Sequence, residues 1–457
     1  MENTFYIILE NSEQQSIKVF SRLKRYFGIS SQRTHQDNPR FMFRLSWYDI
    51  NMLNRNLKEK TLRYLEMFPC VVLLGARQVG KSTLLKQVLP TAKFYDLENL
   101  NDFDYINNDP KLFLDSQSTP LVIDEAQFCP DIFKALRVKI DEAREVNGRF
   151  LLSGSSSPEL LHQISESLAG RVATIDVPCL AWNEALERPL SNIYANLDDP
   201  DSFLNLQSHY NLAELNEFCL YGLYPEAFLK RKNDNDYYKV WQENYIRTYI
   251  ERDIRALFPN LELDKYKKLI LMLAQSSSET IKYANFASSL DISEPTVKNY
   301  LEIAEGTFIW SRLRAFDKNT KKRLIKMPKG YLRDTLLINY IYRLNDIEQM
   351  LSRPDFGLIW ESFIIEQLHK NLRFTFSQVK LYYYRTQNGA EIDLIIETPK
   401  ALIPVEIKSG SSFKKEQMTN LKNFIDEFSS PYGLIINNGS EVRKLADKIY
   451  QVPAIFW

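Results

Sequence analysis

The stretch Val71–Leu89, VVLLGARQVGKSTLLKQVL, joins a short apolar run, a loop bounded by glycines and a helical pattern. Within it, Gly75–Ser82 matches the phosphate-loop pattern GxxxxGK[ST] at every position. The apolar run before the match predicts a buried strand, and Thr83–Leu89 predicts a helix. Glycines let backbone N–H groups turn towards a phosphate, and a helix N-terminus adds partial positive charge. The stretch therefore predicts a strand–loop–helix unit that binds a nucleotide.

The residues of this loop have separate predicted tasks. Lys81 is expected to reach the β- and γ-phosphates of ATP, and Ser82 is expected to ligate Mg²⁺. A chance match in an ordinary loop is the alternative, and the strand and helix on either side argue against it. The predicted nucleotide contacts are Gly75, Ala76, Arg77, Gln78, Val79, Gly80, Lys81, Ser82 and Thr83.

A second motif, LVIDEAQ at Leu121–Gln127, supplies carboxylates. An apolar strand that ends in Asp-Glu places Asp124 against Mg²⁺ and Glu125 beside the γ-phosphate, where it can polarise the attacking water. An adjacent acidic pair is otherwise a solvated turn, but the apolar strand before this pair favours the catalytic interpretation. One further strand, Lys93–Tyr95, fits between the two motifs. That order is the arrangement of ATPases with an extra strand inserted in the sheet.

Polar residues also follow the third apolar run, Phe150–Leu152. Ser153 or Ser155 is the candidate that senses the γ-phosphate, whereas Ser157 fits a helix N-cap equally well. Further along the chain, Arg171 precedes the next predicted strand. It is a candidate to stabilise charge on the γ-phosphate, either in its own subunit or across a subunit interface. An ordinary surface arginine is the alternative.

The alternation of apolar runs with helical stretches predicts an α/β multidomain chain. Residues 1–44 form an N-terminal extension, because a polar segment separates them from the rest, and residues 45–180 are expected to form a parallel sheet covered by helices. Aromatic residues at helical spacing predict a helical part over 181–350. The alternation returns over 351–457, which predicts a second α/β domain.

Several motifs together resemble the AAA-like ATP-binding proteins of bacteria and archaea whose C-terminal half is domain of unknown function 4143. The motifs are GARQVGKSTLL, LVIDEAQ, LLSGSS, SLAGRV, YGLYPEAF, YIERDI and GAEIDLII followed by PVEIKSG. The resemblance covers the chain from about residue 45 to the end. It implies an AAA-like P-loop ATPase of the ASCE class and leaves the physiological substrate open. The chain departs from the family pattern in having Leu223 for a glycine and Ser82 for a threonine.

Residues 265–332 contain a pattern typical of a winged helix. Ile281–Leu290 and Glu294–Glu305 predict two helices, and strands are expected around a basic loop. Such a module places its second helix in a DNA groove and its wing on phosphates. Because that helix is rich in glutamate, docking to protein is an equally good interpretation. The basic residues of the loop are Lys318, Lys321, Lys322, Arg323, Lys326 and Lys329.

The C-terminal part carries the Asp…Glu-x-Lys pattern of restriction-endonuclease-like, PD-(D/E)xK, folds. Asp393 and Glu406 on neighbouring strands would share Mg²⁺, and Lys408 would orient or activate the hydrolytic water. Many proteins of this shape bind rather than cut, and a solvated charge cluster is the third interpretation. The pattern adds an acid from a preceding helix and a glutamine from a following one, here Glu361 or Glu366, and Gln417.

Composition limits the partners. The 58 basic and 58 acidic residues balance, so a nucleic acid can be bound only by a local patch and not by a bulk positive field. The four cysteines are widely spaced, no apolar run is long enough to span a membrane, and a cytoplasmic protein is expected. We expect ATP and Mg²⁺ as ligands, with DNA and further copies of the chain as candidate partners. Two hypotheses stay open: an ATPase coupled to DNA cleavage, and an ATP-driven switch or scaffold whose nuclease-like domain only binds.

Overall fold

A computed structural model describes residues 4–8, 42–46, 53–155, 164, 166–231, 235–317, 327–386 and 389–457. The chain divides into two compact units, residues 1–54 and residues 55–457. In the first unit, strands β1 (Thr4–Ile8) and β2 (Met42–Ser46) pair antiparallel. The rest of the predicted N-terminal extension lies outside the described residues. Everything below concerns the second unit.

The first sheet of the second unit has five parallel strands in the order β4-β5-β6-β3-β7. The parallel α/β sheet predicted from the apolar runs is confirmed, with β6 lying between the two strands that carry the phosphate loop and the Asp-Glu pair. The strands are β3 (Cys70–Gly75), β4 (Lys93–Asp96), β5 (Leu121–Asp124), β6 (Phe150–Ser155) and β7 (Val172–Asp176).

Helices cover this sheet because its central strands are apolar on both faces. All six residues of β3 are buried, as expected for a parallel strand with helices on either side. One core joins Val72, Ile123 and Leu152 from the sheet to Phe133 and Leu136 from a helix. The helices are α1 (Leu57–Met67), α2 (Lys81–Val88), α3 (Leu100–Asn107), α4 (Pro110–Ser116) and α5 (Asp131–Asp141).

The middle of the chain is helical, as the aromatic spacing predicts. One segment, Ile246–Asp253, is a π-helix, a rare form that often occurs at functional positions. The α-helices are α6 (Trp182–Ala185), α7 (Leu212–Tyr221), α8 (Pro225–Arg231), α9 (Asn235–Tyr245), α10 (Ile254–Leu257), α11 (Leu263–Gln275), α12 (Tyr283–Leu290), α13 (Glu294–Gly306), α14 (Thr335–Ile341) and α15 (Ile347–Leu351).

The second sheet is mixed and has eight strands, in the order β14-β15-β13-β12-β11-β10-β8-β9. Two long helices accompany it, α16 (Phe356–Thr375) and α17 (Lys415–Phe428). The strands are β8 (Trp310–Ala315), β9 (Lys329–Leu332), β10 (Lys380–Arg385), β11 (Glu391–Glu397), β12 (Leu402–Ile407), β13 (Gly433–Ile436), β14 (Arg443–Ala446) and β15 (Ile449–Gln451).

The strands expected in a separate wing belong to this second sheet. β8 pairs antiparallel with β9 and parallel with β10, so both strands extend the C-terminal sheet. The physical reason is the burial of apolar surface, because Phe316, just after β8, packs against Tyr382 and Phe424 in the C-terminal core.

The basic loop lies mostly outside the described residues, with Lys318, Lys321, Lys322, Arg323 and Lys326 among those left undescribed. Lys329 is described, and it lies in strand β9 rather than in the predicted loop. Its side chain is buried and forms ion pairs with Glu361 and Glu391.

Two general expectations can be compared with the described residues. The four cysteines all lie in the described part, are buried and form no disulfide. Among the helices described, none combines the length and the apolar character that crossing a bilayer requires.

Candidate ATP site and C-terminal carboxylate cluster

The phosphate loop lies at the carboxyl end of β3 and runs into α2, as the motif predicts. Gly75 has no room for a side chain, because a Cβ there would lie 2.4 Å from the Val177 carbonyl oxygen. Gln78 and Gly80 have φ angles of 63° and 91°, in the left-handed region. Of the remaining predicted contacts, Ala76 is buried and Thr83 lies exposed in the first turn of α2.

Lys81 is buried and its ammonium group points back along the loop. It donates to the carbonyl oxygens of Gly75 at 3.3 Å and Ala76 at 3.1 Å. The same nitrogen lies 3.4 Å from Glu125 Oε1 and 3.4 Å from Ser155 Oγ. Lys81 therefore connects the phosphate loop with the ends of β5 and β6, which meet at the same edge of the sheet.

Asp124 ends β5 as a buried carboxylate held by hydroxyl groups. Ser153 Oγ donates to Asp124 Oδ1, and the Ser82 side chain also hydrogen-bonds this carboxylate. Burial raises the pKa of Asp124, and the two serine hydroxyls offset only part of that effect. The structure thus brings Ser82, Asp124 and Ser153 together, in the oxygen-rich arrangement that Mg²⁺ prefers.

Glu125 adopts a left-handed backbone conformation, with φ 52°. Its Oε2 accepts hydrogen bonds from Gln127 Nε2 at 2.6 Å and from Ser155 Oγ at 3.0 Å. Burial opposes ionisation of this carboxyl, but Lys81 and the two hydrogen-bond donors outweigh burial and hold its pKa below the usual value. Glu125 is therefore an ionised carboxylate beside the phosphate loop.

Arg55 holds the phosphate loop through a hydrogen bond, and no sequence motif predicted this role. Its Nη1 donates to the Val79 carbonyl at 2.7 Å, and its Nη2 donates to the Pro178 carbonyl at 2.8 Å. Its Nε pairs with Glu184 Oε2 at 3.2 Å, and both side chains are almost completely buried. The pair joins three segments that are far apart in the sequence, so only the fold reveals it.

Arg77 connects the loop with the helical middle. It forms ion pairs with Asp253, the last residue of the π-helix, and with Glu98 at 3.1 Å. Burial lowers the pKa of Arg77, and Asp253 and Glu98 more than compensate, so the net pKa is raised. Asp253 belongs to the YIERDI motif, which marked the segment as noteworthy without indicating its partner.

Arg171 does not reach the phosphate loop of its own subunit, and the prediction of a role there in cis is wrong. It precedes β7, whose first residue Val172 pairs with Cys70 at the start of β3, whereas the loop follows the end of β3. Arg171 is instead held by Asp141 through two hydrogen bonds of 2.7 and 2.8 Å. A role across a subunit interface stays a prediction.

In the C-terminal sheet, Asp393 on β11, Glu406 on β12 and Lys408 come together. Lys408 Nζ lies 3.0 Å from Asp393 Oδ2 and 3.2 Å from Glu406 Oε1. The backbone N–H of Ile407 also donates to Asp393 Oδ2, at 2.8 Å. Both carboxylates are largely buried, and Lys408 is about a quarter exposed. The residues of the Asp…Glu-x-Lys pattern therefore form one cluster.

Glu361, on α16, is the additional acid of this cluster. Burial, followed by the nearby Asp393 carboxylate, raises the pKa of Glu361 to about 8, and the same two causes raise that of Glu406 to about 8. Glu366 pairs instead with Arg333, whose Nε lies 3.5 Å from Glu366 Oε1. Gln417 accepts a hydrogen bond from the Lys414 N–H at the start of α17 and is not brought into the cluster.

Two oxygens of the cluster, Glu361 Oε1 and Glu406 Oε2, are buried without a hydrogen-bond partner. Unpaired buried oxygens are costly, and a cation would satisfy them. In the described part of the chain, however, no three histidine, cysteine, aspartate or glutamate residues are grouped closely enough to hold a metal ion. The ammonium of Lys408, between Asp393 and Glu406, supplies the positive charge in this arrangement.

Comparison with protein families assigns a match to each part of the second unit. Residues 67–186 match the family described as an AAA domain. Residues 212–348 match domain of unknown function DUF8612, and residues 356–456 match domain of unknown function DUF4143.

Curated relatives extend over most of the chain. The uncharacterized protein Rv2008c of Mycobacterium tuberculosis is 30% identical over 402 residues, which cover 88% of this chain and 83% of that protein. The uncharacterized protein MJ1637 of Methanocaldococcus jannaschii is 23% identical over 308 residues, covering 60% and 62%.

Among solved structures, similar chains include a Walker-type ATPase of Pyrococcus abyssi, with 15% identity and a TM-score of 0.36 over 64% of this chain and 96% of that one. The RuvB Holliday junction branch migration motor of Thermotoga maritima has 14% identity and a TM-score of 0.29, over 57% and 90% of the two chains.

Proposed function

We propose that this chain, which belongs to the family of Rv2008c and joins an AAA domain to domain DUF4143, uses Lys81, Ser82, Asp124 and Glu125 to hydrolyse ATP. An AAA-type P-loop domain is a nucleotide-binding fold that generally supports ATPase activity. The observation that carries the residue assignment is the convergence of Lys81, Asp124 and Glu125 at one sheet edge.

The loop and Lys81 bind the phosphates. Backbone N–H groups of Gly75–Ser82 and the start of α2 present partial positive charge, and the Lys81 ammonium adds a full one. Ser82 and Asp124 would hold Mg²⁺, since their oxygens already lie within hydrogen-bonding distance of each other. Bound Mg²⁺ supplies charge that stabilises the phosphoryl group in the transition state. Ser153 keeps the Asp124 carboxylate in position.

Glu125 acts as the general base. Its ionised carboxylate accepts a proton from the attacking water, and Gln127 and Ser155 fix its orientation through hydrogen bonds to Oε2. Removing such a base costs roughly 10²- to 10⁴-fold in rate. Nucleotide binding does not need this charge, so binding and turnover respond differently to its loss.

The experiment compares Glu125→Gln with the wild type in ATP binding and in steady-state turnover. We expect ATP affinity within a few-fold of the wild type and turnover lower by about 10²-fold or more. Glu142→Gln, at an exposed position after α5, is the control and should behave as the wild type. Undiminished turnover by Glu125→Gln would remove the assignment of this base.

A second candidate function, Mg²⁺-dependent cleavage of DNA, rests on the C-terminal cluster. Its support is the convergence of Asp393, Glu406 and Lys408, together with one buried oxygen each of Glu361 and Glu406 that accepts no hydrogen bond. Asp393 and Glu406 would hold Mg²⁺, which makes a bound water more acidic, and Lys408 would swing away to orient that water.

Cleavage assays on duplex, single-stranded and branched DNA decide between cutting and switching. Cutting predicts Mg²⁺-dependent products that disappear in Asp393→Ala and in Lys408→Ala but persist in Lys400→Ala, a lysine of the β11–β12 hairpin that pairs with Asp198. Absence of products on all three substrates favours the other hypothesis, an ATP-driven switch or scaffold whose C-terminal domain binds a partner.

We propose further that the ATP site is completed by a second copy of the chain. Arg171 is a charged group near the surface whose only described acidic partner is Asp141, also partly exposed. Mixing Lys81→Ala protein with Arg171→Ala protein tests this. Turnover recovered above either variant alone supports a contribution in trans, and additive turnover argues against it.

A further inference from the structure

A cavity of about 210 Å³ lies at the junction of the AAA domain, the end of β9 and helix α16. No residue of the phosphate loop lines it, so it is separate from the ATP site. Its lining contains four cationic side chains and one carboxylate. The cations are Lys60, Arg333, Lys370 and Arg373, and the carboxylate is that of Asp176.

The inner cations have acidic partners behind them. Arg333 Nε lies 3.5 Å from Glu366 Oε1, which is not part of the lining, and the Lys370 ammonium interacts with Glu366 and with the buried Asp334. Lys370 also donates to the Leu180 carbonyl at 3.2 Å. These contacts leave the inner side of the cavity close to neutral.

The outer cations share too little negative charge. Arg373 Nη1 donates to Asp176 Oδ2 at 2.7 Å, and the Lys60 ammonium donates to the backbone carbonyl of Arg373. Lys60 and Arg373 thus face one carboxylate between them, and Arg373 is nearly half exposed. Two positive charges against one negative charge leave an excess at the mouth of the cavity.

Burial and the nearby positive charges lower the pKa of two titratable groups of the cavity lining. Burial lowers the pKa of Lys60, the Arg373 guanidinium lowers it further, and Asp176 only partly opposes them. Burial also lowers the pKa of His369, in the cavity lining, and Arg373, Arg333 and Lys370 add to that effect. The cations that lower the pKa of His369 are the same ones that would attract an anion into the cavity.

We propose that this cavity binds a small molecule carrying a phosphate group. Two guanidinium groups and two ammonium groups line the cavity, and a phosphate offers several oxygens that can accept hydrogen bonds from them. A carboxylate has only two oxygens, so it would leave some of these donors without acceptors. Free phosphate and a phosphate monoester share this chemistry.

Calorimetric titration tests the site in Lys81→Ala protein, in which the phosphate loop has lost its ammonium group and should bind phosphate more weakly. The probes are inorganic phosphate, glycerol 3-phosphate and acetate. We expect either phosphate to bind, the tighter of the two identifying the natural source, and acetate to bind at least about tenfold more weakly. Binding of neither phosphate, or equal binding of acetate, overturns the proposal.

Charge variants locate the binding. Lys60→Gln combined with Arg373→Gln should weaken phosphate binding by about tenfold or more, since each removes a charge-assisted hydrogen bond. Arg373→Lys keeps the charge but loses the paired N–H donors of the guanidinium group. Its phosphate affinity should lie between those of the wild type and the double variant. Arg63→Gln, at an exposed position on the same helix as Lys60, is the matched control. Unchanged affinity in the folded double variant would place the phosphate elsewhere.

Discussion

Arg77, inside the phosphate loop, forms an ion pair with Asp253, at the end of a π-helix in the helical middle of the chain. The two residues are 176 positions apart. The contact gives the nucleotide site a direct connection to a part of the protein outside the AAA domain. π-helical segments are rare and frequently occur at functional sites, so we expect this segment to respond to nucleotide binding.

We predict that Asp253→Asn breaks the connection without abolishing ATP binding. The neutral amide cannot form the ion pair with Arg77, so ATP should no longer protect the backbone of residues 246–257 from hydrogen exchange. Measured by mass spectrometry with and without ATP, the wild type should show this protection. Glu251→Gln is the control, since Glu251 lies on the same π-helix and pairs with Lys267 instead. Equal protection in Asp253→Asn would show that the ion pair does not transmit nucleotide binding.

Arg55 and Glu184 give a second prediction, on stability. Replacing Arg55 with methionine leaves the Glu184 carboxylate buried without its cation, which costs about 3–5 kcal/mol of the free energy of unfolding. Adding Glu184→Gln removes the buried charge and keeps an oxygen acceptor for one of the two N–H groups, of Asn56 and of Ala181, that the carboxylate now accepts from, so part of the loss should return. Chemical denaturation measures both changes.

The same variants separate stability from nucleotide binding. ATP affinity should be reduced in Arg55→Met and should stay reduced in the double variant, because in both the Val79 carbonyl lacks its hydrogen-bond donor. Lys134→Ala removes a solvent-exposed ion pair with Asp131 and should leave the free energy of unfolding nearly unchanged. Full recovery of ATP affinity in the double variant would mean that Arg55 only stabilises the fold.

The ATP site could be predicted from the sequence because its chemistry is local. The phosphate loop, Asp124 and Glu125 each follow an apolar run, and parallel strands bring their carboxyl ends to one edge. The position of Arg171 could not be predicted in the same way. Whether a residue next to a strand lies at the loop edge depends on which end of that strand it occupies, and Arg171 is at the amino end of β7.

The boundary between the middle and C-terminal parts depends on long-range pairing. β8 and β9 pair with each other as neighbours in the sequence, and nothing local in either strand indicates the pairing of β8 with β10, whose residues follow β8 by about 70 positions. The cluster around Asp393 was predicted from spacing. The ion pairs of Lys329 were not predicted, since its partners Glu361 and Glu391 lie on a helix and a strand that come later in the sequence.

Gly75 gives a prediction based on space alone. Gly75→Ala would bring a Cβ to within 2.4 Å of the Val177 carbonyl oxygen, so β3 and the loop must shift. We expect a loss of about 1–3 kcal/mol in the free energy of unfolding and weaker ATP binding. Gly357→Ala, in α16, meets its nearest atom at 3.7 Å and should leave stability unchanged or higher. Thermal unfolding with and without ATP compares the two; equal behaviour would contradict the close approach at Gly75.

The C-terminal cluster makes stability depend on pH. The folded protein holds protons on Glu361 and Glu406 up to about pH 8, whereas the unfolded chain releases them near the ordinary glutamate value of 4.5. The folded state therefore binds more protons in this window, and the free energy of unfolding should fall as the pH rises through it. Denaturation at several pH values should show a smaller fall in Glu361→Gln than in the exposed control Glu416→Gln. The same fall in both variants would contradict the raised pKa of Glu361.

The central claim is that the Lys81 site hydrolyses ATP, and Mg²⁺-dependent turnover by the purified protein tests it most directly. The wild type should release phosphate from ATP, and Lys81→Ala should lose nearly all of this activity because the ammonium that contacts the phosphates is gone. Lys86→Ala changes an exposed lysine of the same helix and should keep the ATPase activity of the wild type. Wild-type turnover by Lys81→Ala would contradict the account.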